Sequence, residues 1–160
     1  MTDFPRVIKA LADGEIEFIV IGGLAATIHG SSTGTSDIDI VYRRSATNLK
    51  RIIATLAPQH PHLRGAPPDL PFLFDVKTLQ AGMNFTLSLD FGDLDLLGEA
   101  SGGGTYESLL PASEAVSMFD RTIRVVTLEK LIQLKRAAGR QKDMLAVAEL
   151  ERLREQSPDR

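Results

Sequence analysis

The sequence predicts an α/β (α+β) fold of one domain, residues 1–160, in which a β-sheet is flanked by helices and two further helices close the chain. Three observations predict it. Runs of β-branched residues alternate with segments of helical period up to residue 126. The 160 residues, 43% of them hydrophobic, suffice for one core and are too few for two comfortable ones. Residues 128–138 and 141–155 read as two helices broken at Gly139.

The elements follow in order. Residues 5–13 read as a helix opened by Pro5 and closed by Gly14, because proline suits a first helical turn and glycine an end. "IEFIVI", 16–21, is a β-branched run and reads as a strand. "GGLAATIHG" reads as a short helix beginning just past Gly22 and Gly23 and ending at Gly30. After a polar loop, "DIDIVY" is the next strand and "ATNLKRIIATLA" the next helix, and the proline-rich stretch from Pro58 to Pro71 reads as irregular. "MNFTLSLDFGDLDLLG" reads as two strands with a tight turn near Phe91 to Asp93, where Gly92 can take a positive φ. A glycine loop, Gly102 to Gly104, and short strands around 115–119 and 122–126 lead into the closing helices. The core is placed at about 16–126 and the helical tail at 127–156.

Composition narrows the function classes. No apolar run approaches the roughly 18 to 20 residues that a membrane span needs, "MTDFPRVIKALADGE" does not read as a signal peptide, and zero cysteines exclude disulfides and thiolate metal sites. A cytoplasmic protein without membrane association is the expectation. The net charge of −3 hides an asymmetry: nine acidic residues against Lys77 alone between Asp69 and Asp120, then seven basic against four acidic from Glu129 to Arg154. That suits metal-binding carboxylates facing a phosphate-binding helix, and equally suits solvated surface charge.

Two short stretches carry the chemistry. A strand running directly into Gly22-Gly23 and a helix presents free backbone N–H groups to an anion with no Cβ in the way, although Gly-Gly there also serves a plain tight turn. Asp37 and Asp39, two apart on a strand, project to one face while Ile38 and Ile40 face the core. Such a pair is disfavoured unless a cation sits between the carboxylates, one is protonated, or both reach solvent at the strand end. Among Asp90, Asp93 and Asp95, Asp95 alternates with Leu94 and Leu96 and is the expected third ligand, whereas Asp90 and Asp93 are assigned to the turn. Three carboxylates on one face could hold two Mg²⁺ ions, one on a triphosphate and one lowering the pKa of an attacking hydroxyl.

"GGLAATIHG", "TSDIDIVY", "DLDLLG" and "LIQLKRAAGRQKDMLAVAEL" together resemble the nucleotidyltransferase superfamily of the DNA polymerase β type, and more narrowly its minimal, AbiEii-like toxin branch, over residues 16–153. The resemblance implies a nucleotidyltransferase-like mixed sheet and transfer of a nucleoside monophosphate from an NTP, ATP among the donors, with release of pyrophosphate. It implies Mg²⁺ (Mn²⁺ substituting) on Asp37, Asp39 and Asp95, catalytic roles for these three and Lys135, and nucleotide contacts from Gly22, Gly23, Thr35, Ser36, Lys135, Arg140, Lys142 and Asp143. The acceptor it implies is a tRNA 3′ end or a partner protein's hydroxyl, with a cognate antitoxin as a further partner. Two departures are visible: Gly23 stands where the superfamily's commonest form has serine, and Thr33 where these sequences often carry an arginine.

Physical reading of the tail agrees in part. Lys135 falls on the stripe of Leu128, Leu131, Ile132 and Ala138, so its stem either snorkels past the core or its ammonium meets phosphate or carboxylate. Asp143 in a first helical turn favours the helix dipole even without a functional role. His29, His60 and His62 form no ligand spacing. Two alternatives stay open beside the toxin reading: a non-catalytic nucleotide- or partner-binding relative of the same fold, and a transferase acting on a small molecule such as an antibiotic.

Overall fold

The computed structural model describes residues 1–67 and 69–156. In chain order it contains α1 (Phe4–Asp13), β1 (Phe18–Ile21), α2 (Gly22–Ile28), β2 (Asp37–Tyr42), α3 (Ala46–Leu56), β3 (His62–Leu63), α4 (Val76–Ala81), β4 (Asn84–Leu89), β5 (Gly92–Leu97), β6 (Glu99–Ala100), β7 (Gly104–Thr105), α5 (Tyr106–Leu109), β8 (Ser113–Met118), β9 (Arg121–Val126), α6 (Leu128–Ala138) and α7 (Gln141–Gln156). The expected mixed α/β architecture is present, with a seven-stranded sheet in the order β3-β4-β5-β2-β1-β9-β8. The pairs β1–β9 and β2–β5 are parallel and the others antiparallel. Among the described residues no helix is long and apolar enough to cross a membrane.

Local chemistry explains the boundaries. Asp3 caps α1 by accepting from the Arg6 backbone N–H, with proline in the first turn; Ser45 caps α3, and Thr127 caps α6. Gly139 ends α6 at φ +68°, a left-handed C-cap that glycine adopts without strain. Every residue of β1 is buried, so the sheet is covered on both faces there. Val7, Ile8 and Leu11 of α1 join Leu49, Ile52 and Leu56 of α3 in the core, all at most 1% exposed.

The structure differs from expectation between Pro58 and Pro71. That stretch is not wholly irregular, since a 3₁₀ turn at Ala57–Gln59 leads into β3; beyond it α4, capped by Asp75, stands where the sequence suggested no element. Pro68, inside the same stretch, lies outside the described residues. The hairpin between β4 and β5 reverses at Asp90 and Phe91, since Leu89 pairs with Gly92. Gly92, at φ +137°, opens β5, where a Cβ would meet Thr2 within 2.6 Å.

Candidate active site

Two parallel strands set out the acids. β2 and β5 pair in register, Asp37 beside Asp93 and Asp39 beside Asp95. Residues two apart on a strand share a face, and so do direct neighbours across a pair. Four carboxylates therefore form a square patch, while Ile38, Ile40, Leu94 and Leu96 face the opposite way at 0% exposure. Asp93 is thus a strand residue, not the turn residue expected; Asp90 does occupy the turn, 2.6 Å from His60 Nδ1. The alternation Asp93-Leu94-Asp95-Leu96 carried the signal that places Asp93 with Asp95.

Three of the four acids can share an ion. Asp37, Asp39 and Asp95 each offer a carboxylate oxygen, all within 4.8 Å of one another. Opposite ligands of one Mg²⁺, at about 2.1 Å each, stand roughly 4.2 Å apart, so small side-chain rotations close this set on a hard divalent cation. The charge state supports the fit. Burial, then the hydrogen bond and charge of Asp95 and the charge of Asp37, push the Asp39 carboxyl up to about 7, with Lys135 opposing. A cation among these oxygens relieves that repulsion.

The glycines give these acids room. Gly22 begins α2 at φ +68°, and a Cβ on it would stand 2.1 Å from Asp39 Oδ2; a Cβ on Gly23 would stand 2.7 Å from Thr35. Close approach of these side chains, as well as of any phosphate, requires glycine here. Thr35 Oγ1 donates to the Asp37 carbonyl at 3.1 Å. Ser36 is exposed, accepts through its carbonyl from Thr2 Oγ1, and is not among the cleft-lining residues.

A cleft of about 600 Å³ opens above the patch. Gly23, Thr33 and Thr35 form one side; Lys135 from α6, Arg140 just before α7 and Lys142 in its first turn form the other. Gly22 lines an adjoining recess of about 180 Å³ together with Asn84, Glu99 and Lys135. Lys135 is half-buried; burial holds its ammonium below its usual range, and the carboxylates of Asp143 and Asp39 oppose that. Asp143 is 2% exposed and reaches back from the third residue of α7 to the Arg140 backbone N–H at 3.2 Å, as in a capping box. The Arg140 guanidinium grips the same carboxylate at 2.6 Å. Burial would raise the Asp143 carboxyl, yet the Arg140 contacts hold it below the usual range. The loop before β2 is tied across the cleft, Ser31 Oγ donating to Glu149 at 2.5 Å.

One functional candidate had no sequence signal. Arg64, just after β3 in the proline-rich stretch, donates through Nη2 to Asp95 Oδ1 at 2.7 Å and through Nη1 to Asp37 Oδ2 at 3.4 Å. His29, in contrast, is a buried packing residue whose Nε2 lies 2.7 Å from the Val126 carbonyl.

No family model matches the sequence, and no curated protein does. Solved structures do match. A candidate nucleotidyltransferase from Thermotoga maritima superposes with TM-score 0.58 at 18% identity, covering 100% of this chain and 97% of the other. The lincosamide antibiotic adenylyltransferase LnuA, lincomycin-bound, gives 0.61 at 14% identity over 96% and 98%. ANT(2″)-Ia, in complex with adenylyl-2″-tobramycin, gives 0.55 at 12% identity over 94% and 92%. Similarity at these identities is a similarity of fold, and the mixed sheet with its flanking helices is the nucleotidyltransferase fold.

Proposed function

We propose that this chain is a divalent-metal-dependent nucleotidyltransferase that moves a nucleoside monophosphate from an NTP to an acceptor hydroxyl and releases pyrophosphate. The observation that carries the reading is the carboxylate set of Asp37, Asp39 and Asp95 facing Lys135 across one cleft on this fold. A patch of half-buried carboxylates is costly without a cation, and a lysine over it suits a polyanion brought in with that cation.

Asp37, Asp39 and Asp95 would hold Mg²⁺, two ions in the reading we favour, with Mn²⁺ able to substitute. The metal supplies charge neutralisation at the phosphates and lowers the pKa of an attacking hydroxyl. Lys135 stands over Asp39, where its ammonium would meet the charge that develops on the departing pyrophosphate. Gly22, Gly23 and Thr35 on one side, and Arg140, Lys142 and Asp143 on the other, would bind or frame the triphosphate, Asp143 by holding the Arg140 guanidinium and Ser36, outside the cleft lining, only by reaching in from beside Thr35. An NTP donor and a sequence without cysteines support a cytoplasmic reaction.

Two acceptor readings have separate support. The AbiEii-like sequence features support a tRNA 3′ end or a protein hydroxyl, with the chain as the toxin of a toxin–antitoxin pair and an antitoxin as its partner. The near-complete mutual coverage with LnuA and ANT(2″)-Ia supports a small hydroxylated acceptor, because chains of this extent serve those antibiotics.

Incubation with each α-³²P NTP, Mg²⁺ and either total cell extract or a panel of aminoglycosides and lincosamides tests the reading. We expect label in one RNA, protein or small-molecule band and none with Asp37→Ala. Absence of label with every NTP, with Mn²⁺ as well, would return the chain to the non-catalytic alternative.

A further inference from the structure

The position of Arg64 carries an inference about how the acid patch is built, and it rests on the metal-site reading above. Its side chain is 29% exposed and meets three of the four patch carboxylates: Asp95 at 2.7 Å, Asp37 at 3.4 Å and, through Nε, Asp93 at 3.6 Å. A counterion that merely filled an empty metal site would be free to leave when metal arrived. Arg64 is not free. Its backbone N–H donates to the Thr86 carbonyl and its Nη2 to the Leu87 carbonyl, each at 2.9 Å, which ties both ends of the residue to β4.

The chemistry of the contacts fits an outer support. Arg64 takes Oδ1 of Asp95 and Oδ2 of Asp37, and although Asp37 Oδ1 also accepts from Thr35 Oγ1 at 3.4 Å, the second oxygen of each acid keeps a lone pair for a metal. The planar guanidinium fixes two acids from different strands at a set angle, which a lysine's point charge does not. Asp93 is set apart from the triad: it accepts from Ser88 Oγ at 3.2 Å, and its Oδ2 lies 3.6 Å from Arg64 Nε, an ion pair without a hydrogen bond.

We propose that Arg64 is a positioning residue of the metal centre, pinned to β4 and orienting Asp95 and Asp37 so that their remaining oxygens converge with Asp39 on one divalent cation. Residues that orient metal ligands typically cost 10- to 100-fold in metal affinity when removed. If Arg64 were instead a rival cation, its removal would tighten metal binding. The two readings differ in sign.

Mn²⁺ binding to the full chain without nucleotide, followed by the electron paramagnetic resonance of free Mn²⁺, decides between them. For Arg64→Met we expect binding weakened about 10- to 100-fold relative to the parent, with the folded-state circular dichroism retained. Arg64→Lys, which keeps the charge and loses the fork, stays several-fold weaker than the parent. Should Arg64→Met fail to fold, Arg64→Lys decides alone. Unchanged or tighter Mn²⁺ binding in the folded variants overturns the positioning role and leaves the metal site standing. A parent chain that binds no Mn²⁺ overturns the metal site itself, and this inference with it.

Discussion

At the scale of single residues, Asp39 and Lys135 concentrate the electrostatic cost of the site. The folded chain keeps the Asp39 proton up to about pH 7, whereas an unfolded chain releases it near pH 4. This group therefore supports folding fully below about pH 4 and withdraws that support as pH rises from there to about 7. In metal-free buffer Asp39→Asn should gain melting temperature over the parent as pH rises from 4.5 to 8, since the amide cannot ionise. A constant difference across that range would show that Asp39 carries no such shift. Lys135→Met keeps the apolar stem beside Leu131 and Ile132 while removing the ammonium. Turnover in the labelling assay should fall on the order of a hundredfold, with the melting temperature little changed. Parental turnover would place Lys135 among packing residues. Asp37, Asp39 and Asp95 were legible in the sequence because each alternates with buried Ile or Leu. Arg64 was not, because nothing local says that the residue after a two-residue strand will bridge acids on two other strands.

At the scale of elements, the strand with its aspartate pair, the α1, α3 and α6 helices and the break at Gly139 followed from period, caps and glycine. What escaped were pieces too short to show a period: β6, β7 and the four-residue α5 around the glycine loop, and β3, with two residues, and α4, with six. The last two depend on contacts made elsewhere. β3 exists because it pairs with β4, and the end of α4 is held by Arg44, whose guanidinium donates to the carbonyls of Leu79, Gln80 and Gly82. The parallel pairing of β2 with β5 was equally hidden, since alternation reports which face a side chain takes and not which strand lies beside it. The β1–α2 junction offers a test at this scale. Gly22→Ala forces a Cβ to within 2.1 Å of Asp39 Oδ2 at φ +68°, and left-handed strain alone costs roughly 1–3 kcal/mol. The variant should melt several degrees lower and lose Mg²⁺-dependent stabilisation. Gly34→Ala, where a Cβ meets nothing within 4 Å, should melt as the parent does. Equal melting of the two variants would mean that the junction relaxes freely and that Gly22 does not position Asp39.

At the scale of the whole molecule, the cleft joins parts of the chain that are far apart in sequence. Its acids lie on β2 and β5 in the middle of the sheet, its cations on α6 and α7 at the end of the chain, and the Ser31–Glu149 contact crosses between the two sides. The asymmetry of charge along the sequence enters the cleft only in part: of the nine acids between Asp69 and Asp120, Asp95 alone lines it, beside Asp37 and Asp39 from earlier in the chain, and this acidic floor lies beneath a basic wall of Lys135, Arg140 and Lys142. A metal–triphosphate complex bound between them would be held by both, and so would stabilise the folded chain by mass action. With Mg²⁺ and the preferred NTP at about 100 times their apparent Kd, the gain is about 2.7 kcal/mol, or roughly 5–10 °C in melting temperature for a chain of this size. The same measurement on Asp39→Asn should show no rise at pH 7.5, although its metal-free form melts at or above the parent temperature. Below pH 6 the parent's own rise should shrink, because the metal must then displace the Asp39 proton before it binds. An equal rise in parent and Asp39→Asn would mean that the nucleotide binds on the basic wall alone, without the carboxylates, and would remove the metal from the site.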